Sequence, residues 1–241
     1  MSKKERRLAA EKAHKVERKA EQYLDSLRET VKGSTDAIEE AYEACVIFAQ
    51  EEGGSGVCIS ADGLILTCAH CLGNPGKKKG TKHYVIFTNG QVVLTESVYI
   101  DELGDVALMQ AINLPNECEG KMPYTSFAGG YKIKETLYCV GQPYPFNLEN
   151  EEGEEIFKEL VSISKGSLRE ILPGDILDNS DIGKLRHTCW TYWGHSGSPL
   201  LNNDGLIVGI HSSWDDETCT RHGVSLECLN HAFEAYANRK D

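Results

Sequence analysis

Short apolar runs separated by turn-forming residues recur through most of this 241-residue chain. Two such runs, Tyr84–Phe87 and Val92–Leu94, flank an Asn-Gly pair that is typical of a hairpin with a type I′ turn. Cys45–Ala49 precedes them and is also strand-like in composition. Because Gly and β-branched residues accompany these runs throughout, the pattern predicts an all-β body.

The remaining pattern predicts further strands and loops of the same body. Hairpins are expected around Asp62-Gly63, within Ser55–Cys71, and around Asn203–Gly205, within Pro199–His211. The other predicted strands are Asp105 to about Ile112, Leu160–Ser164, Leu185–Thr191 and His222–Leu226. Residues 113–131 are expected to connect two halves of the body, 149–155 to be an acidic solvated loop, and 165–184 to be a variable loop.

Helices are predicted near both ends of the chain. Residues 1–31 contain no Gly or Pro and many Ala, Glu, Lys and Arg, which favours one helix. Its apolar positions form a thin heptad seam, which leaves two interpretations open. The helix lies against the body or frays in solvent, or it serves as an arm for self-association or partner docking. The cluster Ser34-Thr35-Asp36 can cap a second short helix that runs through Glu43, and a closing amphipathic helix is predicted over residues 227–239.

Charge and hydropathy exclude several classes of protein. The formal charge is −12, yet residues 1–32 carry ten basic and six acidic side chains, while the rest carries fifteen and thirty-one. The acidic body argues against nucleic acid as a partner, and the basic leader is either a solvated helix face or a contact for an anionic surface. No apolar run is long enough to span a membrane, and the N-terminus lacks the apolar core of a secretory signal.

The nine cysteines are odd in number and dispersed, which predicts mostly reduced thiols and an intracellular protein. Two groups have ligand-like spacing: Cys68, His70 and Cys71, and Cys219-x-x-His222 with Cys228-x-x-His231. A zinc site would require the second group to converge, whereas His222 and Cys228 are predicted on a strand and at a helix start. We therefore expect buried or surface thiols, and neither a metal nor a cofactor.

One turn-forming segment carries candidate chemistry: Trp193-Gly194-His195-Ser196-Gly197-Ser198-Pro199. Its glycines permit backbone angles and close approach that a Cβ would block. The amides of Gly194 and Ser196 could then converge on one point, as an oxyanion hole requires. Alone the motif is weak, since turns rich in Gly, Ser and Pro are common.

A base and a carboxylate upstream give the motif weight. The Ser55–Cys71 segment ends in Thr-x-Ala-His at His70, and Gly104-Asp105-Val106-Ala107-Leu108 places a carboxylate at the mouth of an apolar strand. With these flanks, the order His, Asp, Ser resembles the trypsin-like (chymotrypsin-fold) serine peptidases. Within that class it is most similar to HtrA/Deg proteases and glutamyl endopeptidases, although no residues remain for the PDZ domain of the former.

The resemblance covers the chain from about Asp36 to the C-terminus and implies a fold of two antiparallel β-barrels. The first would span about residues 44–115 and the second about 132–226, opening with Leu137–Pro143, so that residues 35–241 form one protease domain behind the basic helix 1–34. It also implies that Ser196 is the nucleophile, His70 the base and then the acid, and Asp105 the residue that orients the imidazole. Asp101 is the reserve carboxylate.

Two positions bear on activity and specificity. His195 stands where secreted trypsins have Asp and HtrA-type enzymes usually have Asn, and its ring must find a partner or bend the turn. Thr191 and His211 occupy the positions at which glutamyl endopeptidases bind an acidic side chain. The resemblance therefore implies a serine endopeptidase acting on proteins or peptides, with an acidic P1 residue as one possible preference, or else an inactive protease fold that binds peptides.

Overall fold

The computed structural model describes residues 36–50, 53–73, 78–112, 122–143, 161–180, 183–215 and 217–239. The predicted helix over residues 1–31, the domain boundary at 34/35 and the acidic loop 149–155 lie outside these ranges, as does part of the connecting loop 113–131. Neither helix in the described ranges is long and apolar enough to cross a membrane.

The described residues form two closed barrels of six antiparallel strands each, which confirms the predicted fold class. The strands of the first barrel are β1 Cys45–Phe48, β2 Ser55–Cys58, β3 Leu64–Thr67, β4 Lys82–Phe87, β5 Val92–Asp101 and β6 Val106–Ala111. Those of the second are β7 Thr136–Gly141, β8 Ser162–Ile171, β9 Leu185–His187, β10 Pro199–Leu201, β11 Ile207–Asp215 and β12 Thr220–Ser225. Helix α1 is Asp36–Glu43 and helix α2 is Leu226–Ala237. The order around the barrels is β1-β2-β3-β6-β5-β4 and β10-β11-β12-β9-β8-β7.

Each barrel is closed around its own buried side chains. The first contains large apolar residues with no solvent exposure, among them Phe48, Phe87 and Leu108. The second has a smaller apolar cluster that includes Leu137, Leu168 and Leu200. Helix α2 begins after Ser225, whose hydroxyl accepts a hydrogen bond from the Cys228 amide. Its Leu229 and Ala232 side chains belong to the larger apolar cluster, which also contains Phe48 and Phe87.

The Asn89-Gly90 hairpin has a different turn from the predicted type I′. Gly90 has φ of +84°, but Asn89 is not in the left-handed region, and the Gly90 amide donates to the Phe87 carbonyl at 2.8 Å. Type I′ requires positive φ at both central residues, so this is a three-residue loop in which a type I turn is followed by a left-handed glycine. The prediction of a hairpin was right and its turn type was wrong.

Two predictions for the second barrel are also corrected. Residues 165–184 were expected to be a loop, but β8 continues through Ile171, pairing Ser167 with Thr136 on β7. Its polar side chains lie on the outer surface, so the sequence there carries little apolar signal. Conversely, the strand predicted over Leu185–Thr191 ends at His187, and Cys189 turns close against Gly166, where an added Cβ would lie 2.3 Å from the Cys189 amide nitrogen.

Candidate active site

His70 lies on a single 3-10 turn, Ala69–Leu72, directly after β3. Its ring Nδ1 is 2.9 Å from Oδ2 and 3.0 Å from Oδ1 of Asp105, and its backbone amide donates to Asp105 Oδ1 at 3.1 Å. The carboxylate therefore fixes both the backbone and the ring of His70. With Nδ1 held as a donor, Nε2 is the nitrogen that can take up a proton.

Asp105 lies in the turn between β5 and β6 and is 6% exposed. Its φ of +53° is a left-handed conformation that aspartate tolerates better than most residues. Burial by itself raises the pKa of the Asp105 carboxyl, but hydrogen bonds from His70 and Ser212 and the charge of the imidazole bring it below its usual value. The carboxylate therefore stays ionised beside the imidazole at neutral pH.

Asp101, the reserve carboxylate, has a different role in the structure. It ends β5, and its Oδ1 accepts a hydrogen bond from the Gly104 amide at 2.9 Å. That bond closes the turn that presents Asp105, so Asp101 supports the loop while Asp105 contacts the imidazole.

Ser196 lies between two turns that share the predicted glycine-rich segment. The His195 amide donates to the Tyr192 carbonyl at 3.0 Å with Gly194 at φ +94°, and the Ser198 amide donates to the His195 carbonyl at 2.8 Å with Gly197 at φ +84°. Positive φ at the third residue is the signature of a type II turn. Two consecutive turns thus present Ser196 at their junction.

The first barrel holds this segment in place through Ser55 on β2. The Ser55 amide donates to the Ser196 carbonyl at 2.9 Å, and the Ser55 hydroxyl donates to the Gly194 carbonyl at 2.8 Å. The amide of Gln142 in turn donates to that hydroxyl at 2.9 Å. Within the described ranges, the amides of Gly194 and Ser196 have no protein acceptor, as expected of donors that face a substrate oxygen.

His195 is buried and has partners on both ring nitrogens. Nε2 is 2.9 Å from the Ser162 hydroxyl, and Nδ1 is 3.1 Å from both the amide nitrogen and the carbonyl oxygen of Tyr192. Burial is the main reason that the pKa of His195 falls to about 4, so the ring is neutral near pH 7. The ring thus supports the Tyr192–His195 turn through hydrogen bonds to Tyr192. No local pattern in the sequence indicates Ser162 as its other partner.

Ser212 on β11 is a site residue that the sequence analysis missed. Its hydroxyl donates to Asp105 Oδ2 at 2.6 Å, and its carbonyl accepts a hydrogen bond from Ser196 Oγ at 3.1 Å. One residue of the second barrel thus contacts Asp105 and Ser196 together. Ser212 directly follows His211, a candidate substrate-binding residue, and this position was its only indication in the sequence.

A cleft of about 390 Å³ joins these groups. His70, Asp105, Ser196 and Ser212 line it together with Thr191, His211, Trp193 and Trp214. Thr191 Oγ1 is buried without a hydrogen-bond partner among the described residues, and His211 Nδ1 is 3.0 Å from Nε2 of the buried His187. The Trp190 ring stacks on that of Tyr192 and does not line the cleft.

The two groups of residues with ligand-like spacing differ in whether the structure brings their side chains together. Cys68, His70 and Asp105 offer ligand atoms within 4.8 Å of one another, but His70 and Asp105 are already bonded together. Within the described ranges, Cys219, His222, Cys228 and His231 do not form a cluster of three or more ligands. His222 Nδ1 instead lies 2.8 Å from the Gly183 carbonyl.

Comparison with solved structures places the fold in a known class. A serine endoprotease from Yersinia pestis superposes with a TM-score of 0.60 at 21% identity, covering 83% of this chain and 65% of that one. The HtrA-type protease AlgW, solved with a tripeptide, superposes with a TM-score of 0.65 at 16% identity, covering 85% of this chain and 63% of that one. The two barrels therefore have the chymotrypsin-like fold of these proteases.

Sequence comparison identifies the family. The family described as "Trypsin-like peptidase domain" matches residues 54–210, and the chain belongs to it. Serine protease HTRA1A of Danio rerio is 31% identical over 159 residues, which are 66% of this chain and 29% of that protein. Serine protease HTRA1B of the same fish is 28% identical over 203 residues, which are 80% and 39%. The chain thus spans roughly a third of the length of these curated relatives.

Proposed function

We propose that this protein is a serine endopeptidase that hydrolyses peptide bonds through an acyl-enzyme. The observation that carries the proposal is the hydrogen bond from His70 to Asp105 in the same cleft as Ser196. Ser212 joins the acid to the nucleophile, and the amides of Gly194 and Ser196 lie in the adjoining turn. Its family supports this assignment.

In the proposed mechanism, the hydroxyl of Ser196 turns from the Ser212 carbonyl toward His70 and attacks the substrate carbonyl carbon. His70 Nε2 takes up the hydroxyl proton, and Asp105 stabilises the imidazolium. The Gly194 and Ser196 amides donate to the oxyanion. His70 then gives its proton to the leaving amine, and a water molecule, activated by the same ring, hydrolyses the ester.

Labelling with a fluorophosphonate probe tests the nucleophile directly. We expect the wild-type protein to be labelled at Ser196 and Ser196→Ala to be unlabelled. Ser167→Ala, at a half-buried serine of β8 that does not line the cleft, is the matched control and should label like wild type. Removing the nucleophile should lower peptide cleavage by roughly three orders of magnitude or more.

The same experiment separates catalysis from peptide binding alone. Failure of the wild-type protein to react, beside a control protease that does react, would contradict the proposal. Peptide binding with no turnover would then favour the inactive binding module. His195, which motivated that alternative, has partners on both sides of its ring and leaves the turn well formed.

We propose in addition that the cleft favours substrates with an acidic P1 residue. Thr191 supplies a buried hydroxyl without a partner among the described residues, and His211 supplies an imidazole supported by His187. Burial, followed by the nearby His187, brings the pKa of His211 well below its usual value, so its ring is neutral before substrate binds. An incoming carboxylate would accept N–H and O–H hydrogen bonds and raise that pKa.

A peptide library tests this preference. We expect cleavage after Glu to exceed cleavage after the isosteric Gln. Thr191→Val, which removes the hydroxyl at nearly constant volume, should lower kcat/KM for Glu substrates roughly tenfold. Probe labelling of Ser196 should be unaffected in that variant. Equal rates for Glu and Gln peptides would rule out the preference and leave the proposed activity intact.

We also propose an intracellular location and a docking role for the N-terminal arm. All eight cysteines in the described ranges are free thiols, which supports a reducing compartment. Fractionation of cells tests the location.

To test the docking role of the N-terminal arm, we compare the full chain with a variant lacking residues 1–32 by light scattering. An unchanged mass per particle would rule out self-association through this arm.

A further inference from the structure

Two cysteines flank the proposed general base, in the sequence Cys68-Ala69-His70-Cys71. Neither takes part in the mechanism proposed above. Cys68 directly precedes the 3-10 turn, and the Cys71 amide donates to the Cys68 carbonyl at 3.2 Å. A turn closed in this way brings its first and fourth Cα atoms within about 7 Å, the range that a disulfide can bridge.

The two thiols lie close enough to influence each other's titration, and their environments differ. Burial raises the pKa of the Cys68 thiol well above its usual value. The neighbouring Cys68 thiol, aided by the charge of His70, lowers the pKa of the Cys71 thiol despite its burial. The Cys71 residue is 6% exposed whereas Cys68 has no exposure, so Cys71 is the more accessible of the two residues and the one we expect to react first.

Both thiols also bridge the two barrels at the nucleophile. Cys71 Sγ donates to the Ser196 carbonyl at 3.3 Å, and Cys68 Sγ donates to the His211 carbonyl at 3.4 Å. The His211 carbonyl also accepts the Gly197 amide at 2.8 Å. The S–H groups thus help to hold the segment on both sides of Ser196, and a disulfide has no S–H group to donate.

We propose that Cys68 and Cys71 form a redox-active dithiol that reacts with low-molecular-weight disulfides and, when oxidised, disables the adjacent site. The Cys71 thiolate attacks one sulfur of the disulfide and expels a thiolate. The Cys68 thiolate then attacks the Cys71 sulfur and expels the second thiolate. Two protein thiols become one disulfide, and the oxidant becomes two thiols, which carry the two protons and two electrons removed.

The effect on hydrolysis rests on the proposed function, whereas the dithiol chemistry does not. Closing the disulfide removes both inter-barrel S–H donors and constrains the turn that carries His70. We therefore expect hydrolysis and probe labelling to fall roughly tenfold or more, the scale expected for losing two hydrogen bonds at the reacting groups. Reduction should restore both.

The test equilibrates the full chain with mixtures of oxidised and reduced glutathione. Peptide mapping without reduction should show a Cys68–Cys71 link, and the rate of fluorophosphonate labelling should fall as that link forms. Cys45→Ser, at a buried thiol of the same barrel that donates to the Ala41 carbonyl, should respond like wild type. Dithiothreitol should restore labelling in both proteins.

Two variants separate the chemical steps. Cys68→Ser should stop at a mixed disulfide of Cys71 with glutathione, visible in the intact mass. Cys71→Ser should form no link at this turn, and its labelling rate should not respond to the oxidant. Thermal melting of each variant shows whether it is folded.

Each adverse outcome points to one part of the proposal. Absence of the Cys68–Cys71 link in folded wild-type protein, even in fully oxidised glutathione, would overturn the dithiol. A link that forms while labelling stays constant would overturn its effect on the site. If the fully reduced protein is never labelled, the proposed peptidase function fails, and peptide mapping still decides whether the dithiol forms.

Discussion

The two barrels differ in what they bury. The first is filled with aliphatic and aromatic side chains such as Phe48 and Phe87, and its buried polar residues are mainly serine and threonine. The second buries four imidazoles, those of His187, His195, His211 and His222. The barrel that carries His70 and Asp105 is therefore largely apolar inside, and the barrel that carries Ser196 has several titratable groups in its interior.

We expect this difference to give the two barrels different roles: the first supports His70 and Asp105, and the second helps to form the cleft that would bind substrate. The apolar interior of the first barrel contains few titratable groups, so we expect its packing to depend little on pH. Buried histidines cost stability in acid, because the unfolded chain can protonate each imidazole whereas the buried neutral ring resists protonation. They are placed beneath the Ser196 turn and beside the cleft, so we expect the second barrel to respond to acid before the first.

The largest expected effect comes from emptying the first barrel. Phe48 has no exposure and contacts the edge of the His83 ring, so Phe48→Ala should lower the free energy of unfolding by about 3–5 kcal/mol. Urea titrations at pH 7 and pH 5 measure it, with Phe48→Leu expected to lie between. A loss that differs strongly between the two pH values would contradict the view of this barrel as pH-insensitive.

The next effect is the acid sensitivity of the second barrel. The pKa of His195 is about 4 in the folded protein and that of His187 about 3, mainly through burial, against about 6.5 in an unfolded chain. Between these values the unfolded chain binds more protons, so their contribution is complete above pH 6.5 and is lost as pH falls toward 4. We expect a loss of about 2 kcal/mol for each such ring between pH 7 and pH 5.

Substitution of one ring shows whether these histidines are responsible. His195→Asn keeps a polar side chain beneath the turn and removes one titrating group, so its stability should depend less steeply on pH. His231→Asn, at an exposed position of α2, is the control and should have the wild-type slope. Identical slopes in all three proteins would assign the acid sensitivity to other groups.

The smallest effect on stability is expected at the rim of the cleft. Trp214 is 54% exposed at the end of β11 and lines the cleft. Trp214→Ala should change the free energy of unfolding by no more than about 0.5 kcal/mol, while KM for peptide substrates rises through lost contact area. A loss of several kcal/mol would show that this side chain belongs to the core.

Much of the fold could be predicted because its strands are short, apolar and bounded by turns. The prediction was wrong where a strand's outward face is polar, as at Lys165 and Glu170 on β8, because barrel pairing there is set by neighbouring strands. It was also wrong at residues 188–191, where an apolar run turns away from the sheet after His187. Neither feature has a local signal.

The candidate site was predictable to the extent that local motifs carry it. The local sequence around each of His70, Asp105 and Ser196 is recognisable. The structure brings His70 and Asp105 into hydrogen-bond contact. Ser212 and Ser162 were missed because each acts on a residue distant in sequence, across a strand or a barrel. Long-range pairing of a single hydroxyl leaves no pattern in a lone sequence.

Ser55 has a consequence for how the molecule could be divided. It is a first-barrel residue whose amide and hydroxyl both hold the carbonyls around the nucleophile. If the two barrels were produced as separate polypeptides, neither fragment would possess a finished catalytic apparatus. Turnover would then report their reassembly, and a compound that wedged the halves apart would inhibit without occupying the substrate's place.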